Sequence, residues 1–118
     1  MNIEFIEKLE NFLILNGKKK NLISSKIKFE YILDNYKLIY IEFNSSSILQ
    51  IIKDKKIIFQ EGVLDSIFSN FIKKDFEDKI SLKYIPEVDL ELEIDIKKIN
   101  DLNEKDFEYI YDFFNKNS

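Results

Sequence analysis

Apolar residues recur at helical spacing from the start of the chain, at Phe5, Ile6, Leu9, Phe12 and Leu13. This pattern predicts an amphipathic helix, with Asn2 placed to cap it and Gly17 placed to end it. The period then drops to two. In "KIKFEYIL", Ile27, Phe29, Tyr31 and Leu33 alternate with Lys26, Lys28 and Glu30, the signature of a half-buried strand. Asp34 and Asn35 favour a turn, and "KLIYIEF", apolar on both faces from Leu38 to Ile41, predicts a central strand. After the "NSSS" loop, "ILQIIK" and "KIIFQ" around Asp54 and Lys55 read as a second hairpin.

Val63, Leu64, Ile67, Phe68, Phe71 and Ile72 predict a second helix, from near Glu61 to Asp75. "KISLKYI" and the acidic run that follows give two further strands around Pro86. A third helix is expected from about Asn103, with Leu102 and Phe107 as a hydrophobic staple and Phe107, Ile110 and Phe114 as its buried stripe. The predicted order is α-β-β-β-β-α-β-β-α. Links between neighbouring strands are too short for crossovers, so pairing should be antiparallel, except across the middle helix. The expectation is a single α+β domain over residues 1–118, with a mostly antiparallel sheet of about five or six strands and three helices.

The stretch "PEVDLELEIDIKK", residues 86–98, sets Glu87, Asp89, Glu91, Glu93 and Asp95 on alternate positions between Val88, Leu90, Leu92, Ile94 and Ile96. On one strand all the acids would share a face, and like charges so aligned repel unless neutralised. A three-residue loop at Ile85, Pro86 and Glu87 would set Lys83 opposite Asp89, Ser81 opposite Glu91 and Lys79 opposite Glu93, with Leu82 on Leu90 and Ile80 on Leu92. That register makes the stretch a solvated sheet face with cross-strand ion pairs, yet two lysines cannot balance five acids. Charge is polarised along the chain as well: residues 1–60 hold 10 Lys against 7 acids, and residues 61–118 hold 8 Lys against 15. If that polarity is also spatial, one surface is strongly acidic and suits a basic partner.

Composition narrows the chemistry. All 18 basic residues are Lys, and Arg, His, Cys and Trp are absent, a bias that an A+T-rich genome accounts for. Without His or Cys there is no zinc site of the usual N/S type, no Ser-His-Asp or Cys-His nucleophile and no imidazole switch. Without Arg there is no guanidinium fork for phosphate. The hydrophobic share of 45% supports a core without disulfides. The acidic amphipathic start lacks the features of a signal peptide, and no apolar run approaches the ~18 residues of a membrane span. The expected location is cytoplasmic.

Pro86-Glu87 followed by Asp95-Ile96-Lys97 resembles the P-D…(D/E)-x-K pattern of a metal-dependent nuclease family. It departs from that pattern in having Glu for Asp, and on one uninterrupted strand Glu87 and Asp95 would stand about 26 Å apart. Carboxylates at i and i+2 on a flat strand do not share a calcium or magnesium ion readily, and Gly17-Lys18 lacks the rest of a phosphate-binding loop. Lys18, Lys19, Lys20, Lys26 and Lys28, with Lys53, Lys55 and Lys56, read as a solvated rim rather than a nucleic-acid site, given a pI near 5.0.

The expected function is therefore a non-catalytic acidic protein-binding module, without cofactor or metal, contacting neither nucleic acid nor membrane. As a class, small acidic domains without catalytic groups resemble immunity proteins, antitoxins and inhibitors of bacterial and phage origin. The resemblance rests on size and charge rather than a motif. The partner would be a basic toxin or nuclease-like enzyme whose cleft is occluded by Glu91, Glu93 and Asp95, helped by Asp106 and Asp112, with Tyr109 as apolar anchor. The alternative is an assembly subunit that uses an edge strand or the aromatic last helix.

Overall fold

The computed structural model describes residues 3–117 apart from 64–67, 69, 71, 73–81, 87 and 94–97, and leaves out the side chain at 24. Helix α1 (Ile3–Asn16) buries Phe5, Leu9 and Leu13, the stripe its periodicity predicts. It stops at Gly17, whose N–H donates to the Leu13 carbonyl at 2.8 Å. Close approach is the reason for glycine here, since a Cβ would lie 2.6 Å from the Leu13 oxygen and 3.2 Å from the Glu30 nitrogen.

The lysines after it form a strand that the apolar pattern does not reveal, β1 (Lys18–Asn21), exposed at all four residues. A single 3-10 turn (Ile23–Ser25) leads to β2 (Ile27–Leu33), β3 (Tyr36–Glu42), β4 (Ser47–Lys53) and β5 (Lys56–Gly62). Both two-residue turns fall where expected. Asp54 and Lys55 have φ of 51° and 67°, positive at both central residues as a type I′ hairpin requires. Strand β5 runs to Gly62, so a helix does not begin at Glu61. Gly62 has φ +121°, and a Cβ there would meet the Ser47 carbonyl oxygen at 2.0 Å.

The hairpin strands β6 (Leu82–Ile85) and β7 (Leu90–Glu93) form a separate two-stranded sheet, and the two-residue β8 (Ile99–Asn100) pairs with β5. The main sheet is antiparallel throughout, in the order β1-β2-β3-β4-β5-β8. Helix α2 (Glu104–Lys116) starts as the sequence predicts, with the Asn103 side chain accepting from the Asp106 N–H. Among the described residues two helices are delimited rather than three. Most of the predicted middle helix lies outside those residues, although Phe68, Asn70 and Ile72 are helical and Phe68 and Ile72 are buried.

Three layers result. On one face of the main sheet, α1 and α2 pack through Phe5, Leu9, Leu13, Ile110 and Phe114 onto Phe29, Leu38, Tyr40 and Ile51. On the other, Ile85, Val88, Leu90 and Leu92 of the hairpin and its turn, with Phe68 and Ile72, cover Ile39, Ile41, Ile48 and Ile52. Burial on both faces explains why β3 and β4 are apolar on both sides. A bulge between Ile51 and Ile52 also lets adjacent Ile58 and Phe59 join the helix-side core.

The hairpin corrects the predicted register. Its pairs are Leu82 with Glu93, Lys83 with Leu92, Tyr84 with Glu91 and Ile85 with Leu90, across a four-residue turn at 86–89. Asp89 is not in a strand but in that turn, at φ 50°, so the acidic run is not one uninterrupted ladder. The register is selected by the apolar set that must reach the main sheet, with Ile85 and Leu90 paired and inward and Val88 buried between them.

Candidate functional site

Two of the acids, Asp89 and Glu91, meet lysines of the main sheet. Lys28, on the hairpin side of β2, has a side chain only 5% exposed. Its ammonium donates to the Asp89 carbonyl at 2.6 Å and to Asp89 Oδ2 at 3.4 Å, and pairs with Glu30 at 3.1 Å. Lys20 of β1 reaches the same Oδ2 at 2.6 Å, and the Tyr84 hydroxyl donates to Asp89 Oδ1 at 2.5 Å. Lys20, then Tyr84 and Lys28, hold the Asp89 carboxyl well below the usual carboxylate range, and its bond to Asp89 raises the Tyr84 hydroxyl. Lys37 of β3 pairs with Glu91 at 2.7 Å. These contacts latch the hairpin to the sheet, and two of the lysines doing so, Lys20 and Lys28, were expected to belong to a solvated rim. Lys26 is also buried, its ammonium 5.7 Å from the centre of the Phe43 ring.

On the opposite face Asp106 is 4% exposed. Its Oδ1 accepts from the Tyr36 hydroxyl at 2.5 Å and from Lys53 at 2.8 Å, fastening the first turn of α2 to the adjoining ends of β3 and β4. Burial pushes the Asp106 carboxyl up, but the bonds from Lys53 and Tyr36 outweigh it and hold the group below its ordinary value. Tyr36 is raised by burial and by the bond to Asp106. This node is structural in character: all its groups are mutually satisfied.

The six residues singled out from sequence thus separate. Glu91 is committed to Lys37, Asp106 is buried, and Asp95 lies outside the described residues. Glu93 is half-buried and lines a cleft of about 300 Å³ with Lys55, Lys56 and Asp101. Tyr109 and Asp112 are exposed on α2. Because Tyr36 and Lys37 point to opposite faces of β3, the hairpin acids and α2 do not share a surface.

Helix α2 carries a second acidic row. Glu104, Glu108 and Asp112, at i, i+4 and i+8, are all exposed on one side. Beside them Tyr109 is 45% exposed, its ring stacked on Tyr36 with centroids 5.6 Å apart. Glu104 and Glu108 were missed, although their spacing was visible once the helix start was known. Phe113, also off the main stripe, packs edge-on against Phe12 at 5.3 Å.

At the edges of the main sheet, β1 is lysine-bearing, and β8 is two residues long and pairs with Phe59 and Gln60 of β5. The described residues include no group of three or more metal-binding side chains and no helix long and apolar enough to cross a membrane. The interruption at Asp89 removes the uninterrupted strand on which the nuclease-like spacing was measured; Glu87 and Asp95 themselves lie outside the described residues. Comparison with protein-family models, curated proteins and solved structures finds no match.

Proposed function

We propose that the protein is a non-catalytic binding module that presents acid to a basic protein partner, with the exposed side of α2 as its contact surface. The supporting observation is the contrast in how the acids are used. Asp89, Glu91 and Asp106 are each paired with lysine inside the molecule, whereas Glu104, Glu108 and Asp112 form an exposed row on the helix that carries the half-exposed Tyr109. Stacking on Tyr36 holds that ring in place, so little rotamer entropy is lost when a partner covers it. Aromatic anchors of this kind dominate binding hot spots, and the acidic row would steer a cationic surface toward it. Occlusion of a toxin's or a nucleic-acid enzyme's basic cleft is the form of inhibition such a surface suits.

The test is affinity capture from source lysate at low and high salt, using wild type and a Glu108→Lys/Asp112→Lys variant, followed by titration of the purified captured protein. A basic protein held by wild type, and lost on charge reversal and at high salt, is the expected result. Equal binding by wild type and variant would overturn the reading.

A further inference from the structure

The cleft beside the hairpin latch has the opposite chemistry to α2. It encloses about 380 Å³ and is lined by Lys18, Lys19, Lys20, Lys28, Glu30 and Asp89. By strand register Lys19 falls opposite Phe29, on the helix side, so among the described residues three lysines, Lys18, Lys20 and Lys28, meet two carboxylates. Strand register puts Lys18 beside Glu30 and Lys20 beside Lys28, so Lys18, Lys20, Lys28 and Glu30 share the face onto which the Asp89 turn folds.

Both carboxylates are already committed. Asp89 Oδ1 is taken by Tyr84 and Oδ2 by Lys20 and Lys28, while Glu30 pairs with Lys28. One carboxylate oxygen thus holds two ammoniums no farther apart than its bonds to them, 2.6 Å and 3.4 Å, laid end to end. Lys18 and Lys19 have no ion pair among the described residues. Guarding a sheet edge requires only outward charge; it does not require a nearly buried lysine and a lysine-gripped turn behind that edge. A walled recess with surplus positive charge concentrates its field on whatever anion enters.

We propose that this cleft binds the phosphate or diphosphate group of a small molecule. Lys18 supplies the uncommitted charge, and Lys20 and Lys28 are held in position by Asp89 and Glu30. The volume is at the lower end of the ~300–1,000 Å³ of small-molecule sites. Its lining consists of charged residues, which suits a compact anionic group rather than an apolar ring. Lysine engages a phosphate group as a point charge, without needing arginine's fork.

Inorganic pyrophosphate is the probe, titrated into the full chain at about 0.15 M salt with backbone amide NMR shifts and calorimetry as readouts. Saturable binding at one site, with shifts centred on residues 18–20, 28 and 89, is expected. A Lys18→Gln variant, altering an exposed residue without an ion pair among the described residues, should keep its unfolding midpoint and weaken binding about tenfold. The control Lys55→Gln/Lys56→Gln should not weaken it. No saturable binding, shifts centred elsewhere, or equal weakening in both variants would overturn the site. Stronger binding of a single-stranded oligonucleotide, with shifts spreading to residues 53–56, would overturn it in favour of a nucleic-acid surface.

Discussion

The two faces of the main sheet are covered by different means. On the helix face, interlocking rings make the seal: Phe5 meets Phe107, Tyr111 and Phe114, and Phe12 meets Tyr31, Phe113 and Phe114. A polar node there, Tyr36–Asp106–Lys53, has the buried Asp106 at its centre. On the hairpin face the apolar contact is aliphatic for the most part, and charge is at the rim, where Lys20, Lys28 and Lys37 hold Asp89 and Glu91. Aromatic burial does not depend on ionic strength, whereas partly exposed ion pairs do. The helix layer should therefore behave as the permanent wall and the hairpin as a layer whose attachment follows pH and salt.

The largest effect is expected from Phe5→Ala, which removes a fully buried ring from the centre of the helix-side cluster. It should cost about 3–5 kcal/mol in urea denaturation, equally at low and high salt; a salt-dependent loss would break the comparison. Asp106→Asn should cost about 1.5–3 kcal/mol by withdrawing the charged acceptor from Tyr36 and Lys53. Asp89→Asn, at a partly exposed site, should cost on the order of 1 kcal/mol and mainly increase hydrogen exchange in β6 and β7. Acid sharpens the contrast. Both carboxyls lie below their unfolded values, so the unfolded chain takes up protons first, and their stabilisation is intact above about pH 4 and is lost as pH falls toward the folded values. Asp89→Asn should flatten the part of that acid slope reported by the hairpin amides and leave the part reported by α2.

Smaller effects test what lies outside both layers. Lys55→Gly, at a position with φ 67°, should raise stability by up to ~1 kcal/mol in thermal unfolding. Glu108→Lys/Asp112→Lys should change stability by no more than ~0.5 kcal/mol. A larger change would mean that these acids serve the helix layer rather than a partner.

What was legible in the sequence is what short-range physics decides. Asn103 caps α2 because a cap needs only neighbouring residues, and Leu102 and Phe107, placed as a staple, both pack against the helix-side core. The Asp34-Asn35 and Asp54-Lys55 turns were readable for the same reason. Strand β1 was not: "KKKN" buries nothing, so it has no apolar period, and backbone pairing with β2 alone makes it a strand. The hairpin register was misread because the apolar surface that selects it, Ile39, Ile41, Ile48 and Ile52, is distant in sequence, as are Lys20, Lys28 and Lys37, 54 to 69 residues away from the acids they hold. Local pairing of Lys83 with Asp89 was plausible until those more distant lysines were in place. The same distance hid the phosphate-sized cleft, which exists only where β1 meets the Asp89 turn.

Strands β1 to β5 adjoin one another in chain order, and this has a consequence during synthesis. The meander can close by successive hairpins as residues 18–62 emerge, with α1 already present to cover one side. Residues 82–93, which cover Ile39, Ile41, Ile48 and Ile52, follow about 2–6 s later at a translation rate of about 5–20 residues per second. During that interval the nascent sheet has an uncovered aliphatic face, and Lys18, Lys19 and Lys20 along its first edge are its main protection against pairing with another chain.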